Sequence, residues 1–300
     1  MTVSLPTFSR SGGGARRQLD GLAQAHPEWR SWLNLYAETL RAGEDPAWAE
    51  AVPALASDRP PIAPLLMGAT VSMPPGQADA WVRHLFAAAG REEGPQTAAL
   101  AAAAESDRLD AVALLEATIN QDAPRLAALA AEVGVDPDAL GAVAQLAALL
   151  LLRACARVLT PLVPPAWNGG CCPVCGAWPA VAESRGLERS RRLRCGRCGT
   201  DWGFVALRCP FCGTDEHTQL GSLISKTEGE ARKVETCDNC RGYVKSVATL
   251  RAWAPEEVPL VDLASVDLDL AAIDRDFGRP TAPAFDLGLR LTGPADAATG

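Results

Sequence analysis

Hydrophobic residues in the first half of the chain recur at every third or fourth position, the spacing of one helix face. The pattern predicts two helices between residues 16 and 41, divided at Pro27, and further helices over 79–89, 96–104, 106–120, 123–134 and 137–159. Prolines between residues 53 and 75 interrupt it, because proline cannot continue a helix. We therefore expect an all-helical domain of five to seven helices over residues 16–165.

The most apolar of these helices, residues 137–159, resembles a membrane segment in composition. Its unbroken apolar run, Leu146–Leu152, is much shorter than the roughly 20 residues that cross a bilayer, and Arg153 and Arg157 follow it. We interpret it as the central buried helix, with Cys155 as a core residue rather than a metal ligand. No membrane span is expected.

After Gly170 the pattern changes to short segments typical of strands, separated by turn residues. Strands are predicted over 180–184, 191–195, 202–209, 218–225, 232–235 and 243–249. Four C-x-x-C pairs lie before, between or at the ends of these strands. They are Cys172/Cys175, Cys195/Cys198, Cys209/Cys212 and Cys237/Cys240.

Two cysteines separated by two residues can turn both sulfurs towards one point, and two such pairs complete a tetrahedral site of four thiolates. The eight paired cysteines are therefore the predicted ligands of two metal ions. Sequential pairing, the first pair with the second and the third with the fourth, is favoured over a crossed arrangement. Cys171 and His217 are interpreted as non-ligands, and the donors suit zinc or iron equally.

Each pair of knuckles with its strands has the pattern of a rubredoxin-like or zinc-ribbon module, in which the metal replaces much of the core. We place the modules at residues 171–207 and 208–253. Residues 254–285 are predicted to hold a helix over 262–277, with an acidic side that is solvated or that meets a partner. Residues 1–15 and 286–300 are expected to be disordered.

The net charge of −8 argues against a protein that binds nucleic acid over its whole surface. Only the cysteine region is basic, and we interpret Arg189, Arg191, Arg192 and Arg194 as offsetting the negative thiolate sites. No signal peptide is recognisable at the start of the sequence. We expect a cytoplasmic protein, where cysteines stay reduced and available to metals.

Familiar catalytic signatures are missing from the sequence: it has no G-x-S-x-G, no phosphate-binding Walker loop, no G-x-G-x-x-G after a strand and no H-E-x-x-H. This favours a binding protein over an enzyme. One alternative is a zinc-ribbon module for nucleic acid, which would bind in a salt-sensitive way through the arginines between Arg185 and Arg197. Another is a thiol oxidoreductase that keeps one C-x-x-C free of metal.

The motifs in order resemble the FdhE-type formate dehydrogenase accessory proteins over roughly residues 165–285. They are GGCCPVCGAWP at 169–179, RRLRCGRCGTDW at 191–202, CPFCG at 209–213, ETCDNCRGYVK at 235–245 and DLASVDLD at 262–269. The resemblance implies a cytoplasmic maturation factor, not an enzyme, that binds the catalytic subunit of a respiratory formate dehydrogenase before export. It also implies two rubredoxin-like sites held by the eight cysteines, with iron favoured, and it leaves a homodimer open.

Overall fold

The computed structural model describes residues 13–94, 96–225 and 229–292. The chain forms two compact units. Among the described residues, one unit contains Leu19–Arg59, Leu66–Val158 and residues 287–292. The other contains residues 13–18, Pro60–Leu65 and Leu159–Asp286. Disorder was predicted for residues 1–15. Residues 1–12 lie outside the described residues, and the first helix begins at Gly13.

Eight α-helices lie in the described part of the first half of the chain. They are α1 (Gly13–Ala25), α2 (Arg30–Ala42), α3 (Ala47–Glu50), α4 (Gln77–Gly90), α5 (Thr97–Ala104), α6 (Ala111–Asn120), α7 (Ala123–Val133) and α8 (Pro137–Leu159). A 3₁₀ turn, Pro27–Trp29, separates α1 from α2 at the predicted proline. Asp110 and Asp122 begin α6 and α7, because each carboxylate accepts a hydrogen bond from a backbone N–H in the first turn.

Helix α8 is the core helix of the first unit. By length and composition alone the segment Pro137–Leu162 could cross a membrane, but 78% of its apolar window is buried inside the structure. Two of its polar groups have partners within the unit: Arg153 donates to the Tyr36 hydroxyl at 2.6 Å, and the Ala147 carbonyl accepts from the Trp81 indole at 3.1 Å. Cys155 is 1% exposed on this helix.

The second unit contains a single sheet of six strands. With a short strand β1 (Thr70–Ser72) in the first unit, the strands in chain order are β2 (Val181–Arg185), β3 (Ser190–Arg194), β4 (Asp201–Gly203), β5 (Leu220–Ser225), β6 (Gly229–Cys237), β7 (Tyr243–Thr249) and β8 (Arg290–Thr292). The order in the sheet is β4-β3-β2-β7-β6-β5. Strands β2 and β7 pair in parallel, from Val181 opposite Lys245 to Arg185 opposite Thr249, whereas the other neighbours are antiparallel.

Because β2 and β7 come from different predicted modules, the sheet runs without a break from one cysteine module into the other. The boundaries drawn at 171–207 and 208–253 stay a prediction about local units. A helical N-terminal part followed by a sheet-rich part with two four-cysteine groups confirms the predicted fold class.

The helical unit is not all-helical, as a parallel strand pair joins distant parts of the chain. Strand β1 pairs with β8, which lies in the tail expected to be disordered. The Asn120 amide donates to the Leu289 carbonyl at 2.8 Å and its oxygen accepts from the Leu289 N–H at 3.0 Å. Local composition does not reveal a strand whose partner lies about 220 residues earlier. Residues 293–300 lie outside the described residues.

Two helices, α9 (Val258–Ala264) and α10 (Val266–Ile273), replace the single predicted helix over 262–277. The break lies at Ser265. Its side-chain hydroxyl, rather than its backbone N–H, donates to the Val261 carbonyl, at 2.8 Å. The helices cover one face of the sheet through two apolar clusters. The clusters are Val181, Val247, Trp253, Val258 and Val261, and Val234, Tyr243, Leu268, Ala272 and Phe277.

Candidate metal centres

The first four-cysteine group is buried within the sheet unit. Its sulfurs come from Cys172, Cys175, Cys195 and Cys198, each at most 1% exposed. The Sγ atoms of Cys172 and Cys198 lie 3.4 Å apart, and those of Cys175 and Cys195 lie 3.5 Å apart. The four side chains therefore point to one centre, in the sequential pairing.

The second group lies closer to solvent. Cys209 and Cys237 are buried, whereas Cys212 and Cys240 are exposed. The Sγ–Sγ distances are 3.7 Å for Cys209 and Cys240 and 3.7 Å for Cys212 and Cys237. The two groups thus share one chemistry but differ in how easily solvent or another molecule reaches them.

Both groups fit a tetrahedral metal ion. Bonds of about 2.3 Å from a zinc ion to four thiolates would place the sulfurs roughly 3.8 Å apart at tetrahedral angles. The observed distances of 3.4–3.7 Å are close to that value. Each group could bind one metal ion, and a soft all-sulfur donor set suits zinc or iron.

The backbone explains why these cysteines converge. In each C-x-x-C loop the residue after the second cysteine has a positive φ, which turns the chain back after the pair. Those residues are Gly176 (φ 68), Gly199 (φ 81), Gly213 (φ 76) and Arg241 (φ 58). The N–H of the first cysteine also donates across the loop, as from Cys172 to the Ala177 carbonyl at 2.8 Å and from Cys237 to the Gly242 carbonyl at 2.9 Å. Glycine suits this conformation because it lacks a Cβ, and Arg241 is the exception.

The loops of the two groups approach each other at Gly170. A Cβ on this residue would lie 1.7 Å from the Pro210 carbonyl oxygen, so only glycine fits. This close contact places the start of the first C-x-x-C loop beside the third.

The thiols of the buried group differ in their tendency to ionise. Burial raises the pKa of Cys172 and of Cys198 well above the ordinary thiol value. The pKa of Cys195 is held well below that value, because the Cys172, Cys175 and Cys198 thiols hydrogen-bond to its sulfur. Cysteines bind metals as thiolates, so metal binding here would release protons.

In the second group burial raises the pKa of Cys209 to about 11. Burial also opposes ionisation of Cys212, but hydrogen bonds from the Thr214 backbone and the Asn239 amide lower the pKa of this thiol to about 7. The Asn239 nitrogen lies 3.4 Å from its sulfur.

The other candidate ligands lie outside both groups. Cys171 is half-buried, and burial raises the pKa of its thiol to about 11. The Cys171 carbonyl, not its thiol, accepts a hydrogen bond from the Trp167 indole at 3.2 Å. His217 is exposed in a 3₁₀ turn, Cys155 lies on α8, and neither belongs to a four-cysteine group.

The arginines near the first group pair with carboxylates, which differs from the predicted role of offsetting thiolates. The pairs are Arg191 with Glu235, Arg192 with Asp201 and Arg194 with Glu183. Arg194 also donates to the Gly199 carbonyl at 3.1 Å, so this buried ion pair supports the loop that carries Cys195 and Cys198. Glu183 was missed in the sequence, although its alternation with Val181 places it on the same sheet face.

A second buried charge also escaped prediction. Lys245 is 0% exposed, and its ammonium nitrogen lies 2.8 Å from an Asp262 carboxylate oxygen and 2.7 Å from one of Asp269. These acids belong to the side of the predicted helix that was expected to be solvated or to meet a partner. Two apolar residues of α10 are exposed instead, Leu270 at 59% and Ile273 at 56%. These acids face the sheet because a buried ammonium group is unfavourable without carboxylate partners.

Comparison with known proteins finds relatives for part of this chain. Residues 207–285 match the family described as FdhE, C-terminal domain. A protein described as an FdhE homolog from Aquifex aeolicus is 38% identical over 114 residues, which are 37% of this chain and 40% of the relative. Homologs of the same description from Stutzerimonas stutzeri and Shewanella oneidensis are 35% and 32% identical over 111 and 107 residues.

The aligned segment spans 33–40% of the length of these relatives. The crystal structure of the FdhE protein from Pseudomonas aeruginosa has a similar fold over 92% of this chain and 94% of its own, with a TM-score of 0.57 and 23% sequence identity. The comparisons confirm the resemblance to FdhE-type proteins.

Proposed function

We propose that this chain is a cytoplasmic accessory factor that binds the catalytic subunit of a respiratory formate dehydrogenase and supports its maturation before export. The observation that carries the proposal is the pair of complete four-cysteine groups, the second of which lies within residues 207–285, the segment that matches the FdhE C-terminal domain. The resemblance of the sequence motifs to the FdhE-type formate dehydrogenase accessory proteins supplies the proposed client. The proposed role is recognition of a client protein, without catalysis by the chain itself.

We further propose that the eight cysteines hold two metal ions, one in each group. A zinc ion would supply a structural crosslink without redox chemistry, whereas an iron ion would add one-electron exchange. The burial of Cys172, Cys175, Cys195 and Cys198 suits a structural role for the first centre. The exposed Cys212 and Cys240 leave the second centre open to a partner or a reductant.

The test is capture of the dehydrogenase by the tagged full-length chain under reducing conditions, with elemental analysis and a visible spectrum of the same preparation. We expect two metal ions per chain and recovery of the catalytic subunit. Cys195→Ser should remove one ion and weaken capture, because the loss of a ligand opens the buried centre. Cys171→Ser is the matched control, since it removes a neighbouring thiol outside the group and should change neither.

A preparation that binds both ions but recovers no catalytic subunit would contradict the client role. Unchanged metal content in Cys195→Ser would contradict the ligand assignment. Removal of metal with a chelator provides a further arm, in which capture should fall and should return when the same metal is restored.

A further inference from the structure

A cleft of about 440 Å³ lies on the sheet face opposite helices α9 and α10. Tyr243 and Val247 of β7 pack towards the helices, whereas Val244 and Ser246 line the cleft, as expected because side chains alternate along a strand. Its volume is in the range of pockets that enclose a ligand. The proposed functions above assign no role to it.

The cleft adjoins the more exposed of the two metal centres. Cys209 and Cys237 form part of its wall, and the neighbouring Phe211 and Leu207 add apolar surface. Leu207 is 62% exposed, so its apolar surface is accessible to a ligand in the cleft.

Positive charge dominates the cleft even though the whole chain is acidic. Four cations, Arg189, Arg191, Arg208 and Lys233, line it together with two carboxylates, Glu230 and Glu235. Arg191 and Glu235 form an ion pair at 2.5 Å. Among the described residues Arg189 and Lys233 have no ion-pair partner, and Arg208 donates to the Gly213 carbonyl at 3.1 Å. The excess of cations favours an anionic ligand.

Arg191 supplies an independent indication of a ligand. Its side chain is 7% exposed, its two terminal nitrogens are used by Glu235 and by the Val205 carbonyl, and its Nε has no hydrogen-bond partner within the described residues. A buried donor without an acceptor is unfavourable, and an acceptor oxygen supplied by a ligand would relieve it.

The free edge of the sheet indicates the shape of the ligand. Strand β5 is the last in the sheet order, paired on one side with β6, and most of its residues are exposed or half-buried. Leu220, Gly221 and Ser222 of this edge line the cleft. An exposed strand edge offers backbone N–H and C=O groups to which an extended chain can pair.

We propose that the cleft and the edge of β5 bind an extended acidic segment of a client protein, with its carboxylates on Arg189, Arg191 and Lys233 and its apolar side chains on Leu207. The proposal rests on the client role argued above and identifies the surface that performs it. Docking there would place the client chain against the second metal centre.

The test uses the full-length metal-loaded protein and fluorescent overlapping peptides that tile the formate dehydrogenase catalytic subunit, followed by anisotropy. We expect the bound peptides to be acidic and their binding to weaken with salt. The double variant Arg189→Glu/Lys233→Glu should weaken binding by about tenfold or more, because two attractive contacts become repulsive. The control is Arg16→Glu/Arg17→Glu, which makes the same charge change at exposed positions on α1 and should leave affinity unchanged.

Each other outcome is informative. If the double variant captures the intact catalytic subunit as well as the wild type does, the cleft proposal is wrong while the client role survives. If the wild type captures no subunit, the client role itself fails. Competition by inorganic phosphate at concentrations similar to those of the peptide would indicate a small-anion site, and tighter binding of a single-stranded oligonucleotide would indicate a nucleic-acid site; both would overturn the acidic segment.

Discussion

Lys245 shows how a single side chain can require a set of partners far along the chain. Its ammonium group is enclosed by the sheet and α9–α10, where the Asp262 carbonyl accepts at 2.6 Å and two carboxylates provide the countercharge. The Tyr243 hydroxyl donates to Asp269 at 2.7 Å, and Arg279 donates to both acids. A buried charge is tolerated only when such contacts compensate for lost water.

Asp269→Asn should therefore destabilise the sheet unit by about 3–5 kcal/mol at pH 7, because a buried ammonium loses a countercharge. Burial raises the pKa of Asp269, but contacts with Lys245, Tyr243 and Arg279 outweigh burial, so the folded carboxyl titrates below its ordinary pKa of 3.8. A lowered folded pKa adds stability that is present above the ordinary value and is lost as the pH falls through the folded value. The difference in the free energy of unfolding between wild type and variant should thus persist from pH 7 to about pH 4 and become smaller below that pH.

Urea unfolding followed by tryptophan fluorescence at several pH values measures this difference. Asp274→Asn, at an exposed position just after α10, is the matched control and should have little effect. Equal stability of the two variants at pH 7 would show that Lys245 does not depend on Asp269.

The fourth C-x-x-C loop differs from the other three as a structural element. Arg241 adopts the left-handed conformation that glycine adopts in the other three loops, and its side chain makes several contacts. It donates to Asp238 at 2.8 Å and to the Arg275 carbonyl at 2.6 Å, and its guanidinium lies 3.9 Å from the centre of the Phe277 ring. The side-chain contacts of Arg241 offset its strained backbone conformation and attach the loop to the segment after α10.

Two substitutions separate these effects. Arg241→Ala and Arg241→Gly both remove the side-chain contacts, but at a φ of 58° only alanine, which has a Cβ, is strained. We expect Arg241→Ala to be less stable than Arg241→Gly by about 1–2 kcal/mol, the cost of a left-handed conformation for a residue with a Cβ. Thermal unfolding of the metal-loaded variants gives the comparison, and identical melting would show that the backbone strain is absent or is relieved in solution.

At the scale of the whole molecule, the pairing of β1 with β8 joins residues about 220 positions apart in the helical unit. Leu287, Leu289 and Leu291 are each at most 6% exposed, so the segment forms part of the core of that unit. Asn120 at the end of α6 holds it with two backbone hydrogen bonds, and Glu116 accepts from the Leu291 N–H at 2.6 Å. The chain after Asp286 is therefore structural in the described part.

Asn120→Ala should destabilise the helical unit by about 1–3 kcal/mol, because two backbone groups of Leu289 lose their partners. The matched control is Asn34→Ala, which removes an exposed amide contact with Glu92 and should change stability by no more than about 0.5 kcal/mol. Limited proteolysis should release the C-terminal segment sooner in Asn120→Ala. Equal cleavage rates in both variants would contradict the structural role of this segment.

Local patterns account for what could be predicted. The bounds of α8 agree with the predicted helix over 137–159, because a long apolar periodicity is read within the segment itself. The C-x-x-C spacing likewise identifies the eight cysteines, since each loop places two sulfurs together without help from the rest of the fold. The break at Ser265 between α9 and α10 could not be predicted in this way, because the periodicity over 262–277 continues across it.

The amino-acid sequence thus determined most of the helices, the strands of the six-stranded sheet and the two sets of four thiols, all of which depend on neighbours in the chain. The tertiary structure alone decided that β2 and β7 join both cysteine modules in one sheet and that β8 returns to β1. It also decided that Lys245 draws Asp262 and Asp269 inward, and that the cations of the cleft meet beside the second centre. These features depend on pairing and desolvation between residues far apart in sequence, where local periodicity carries no information.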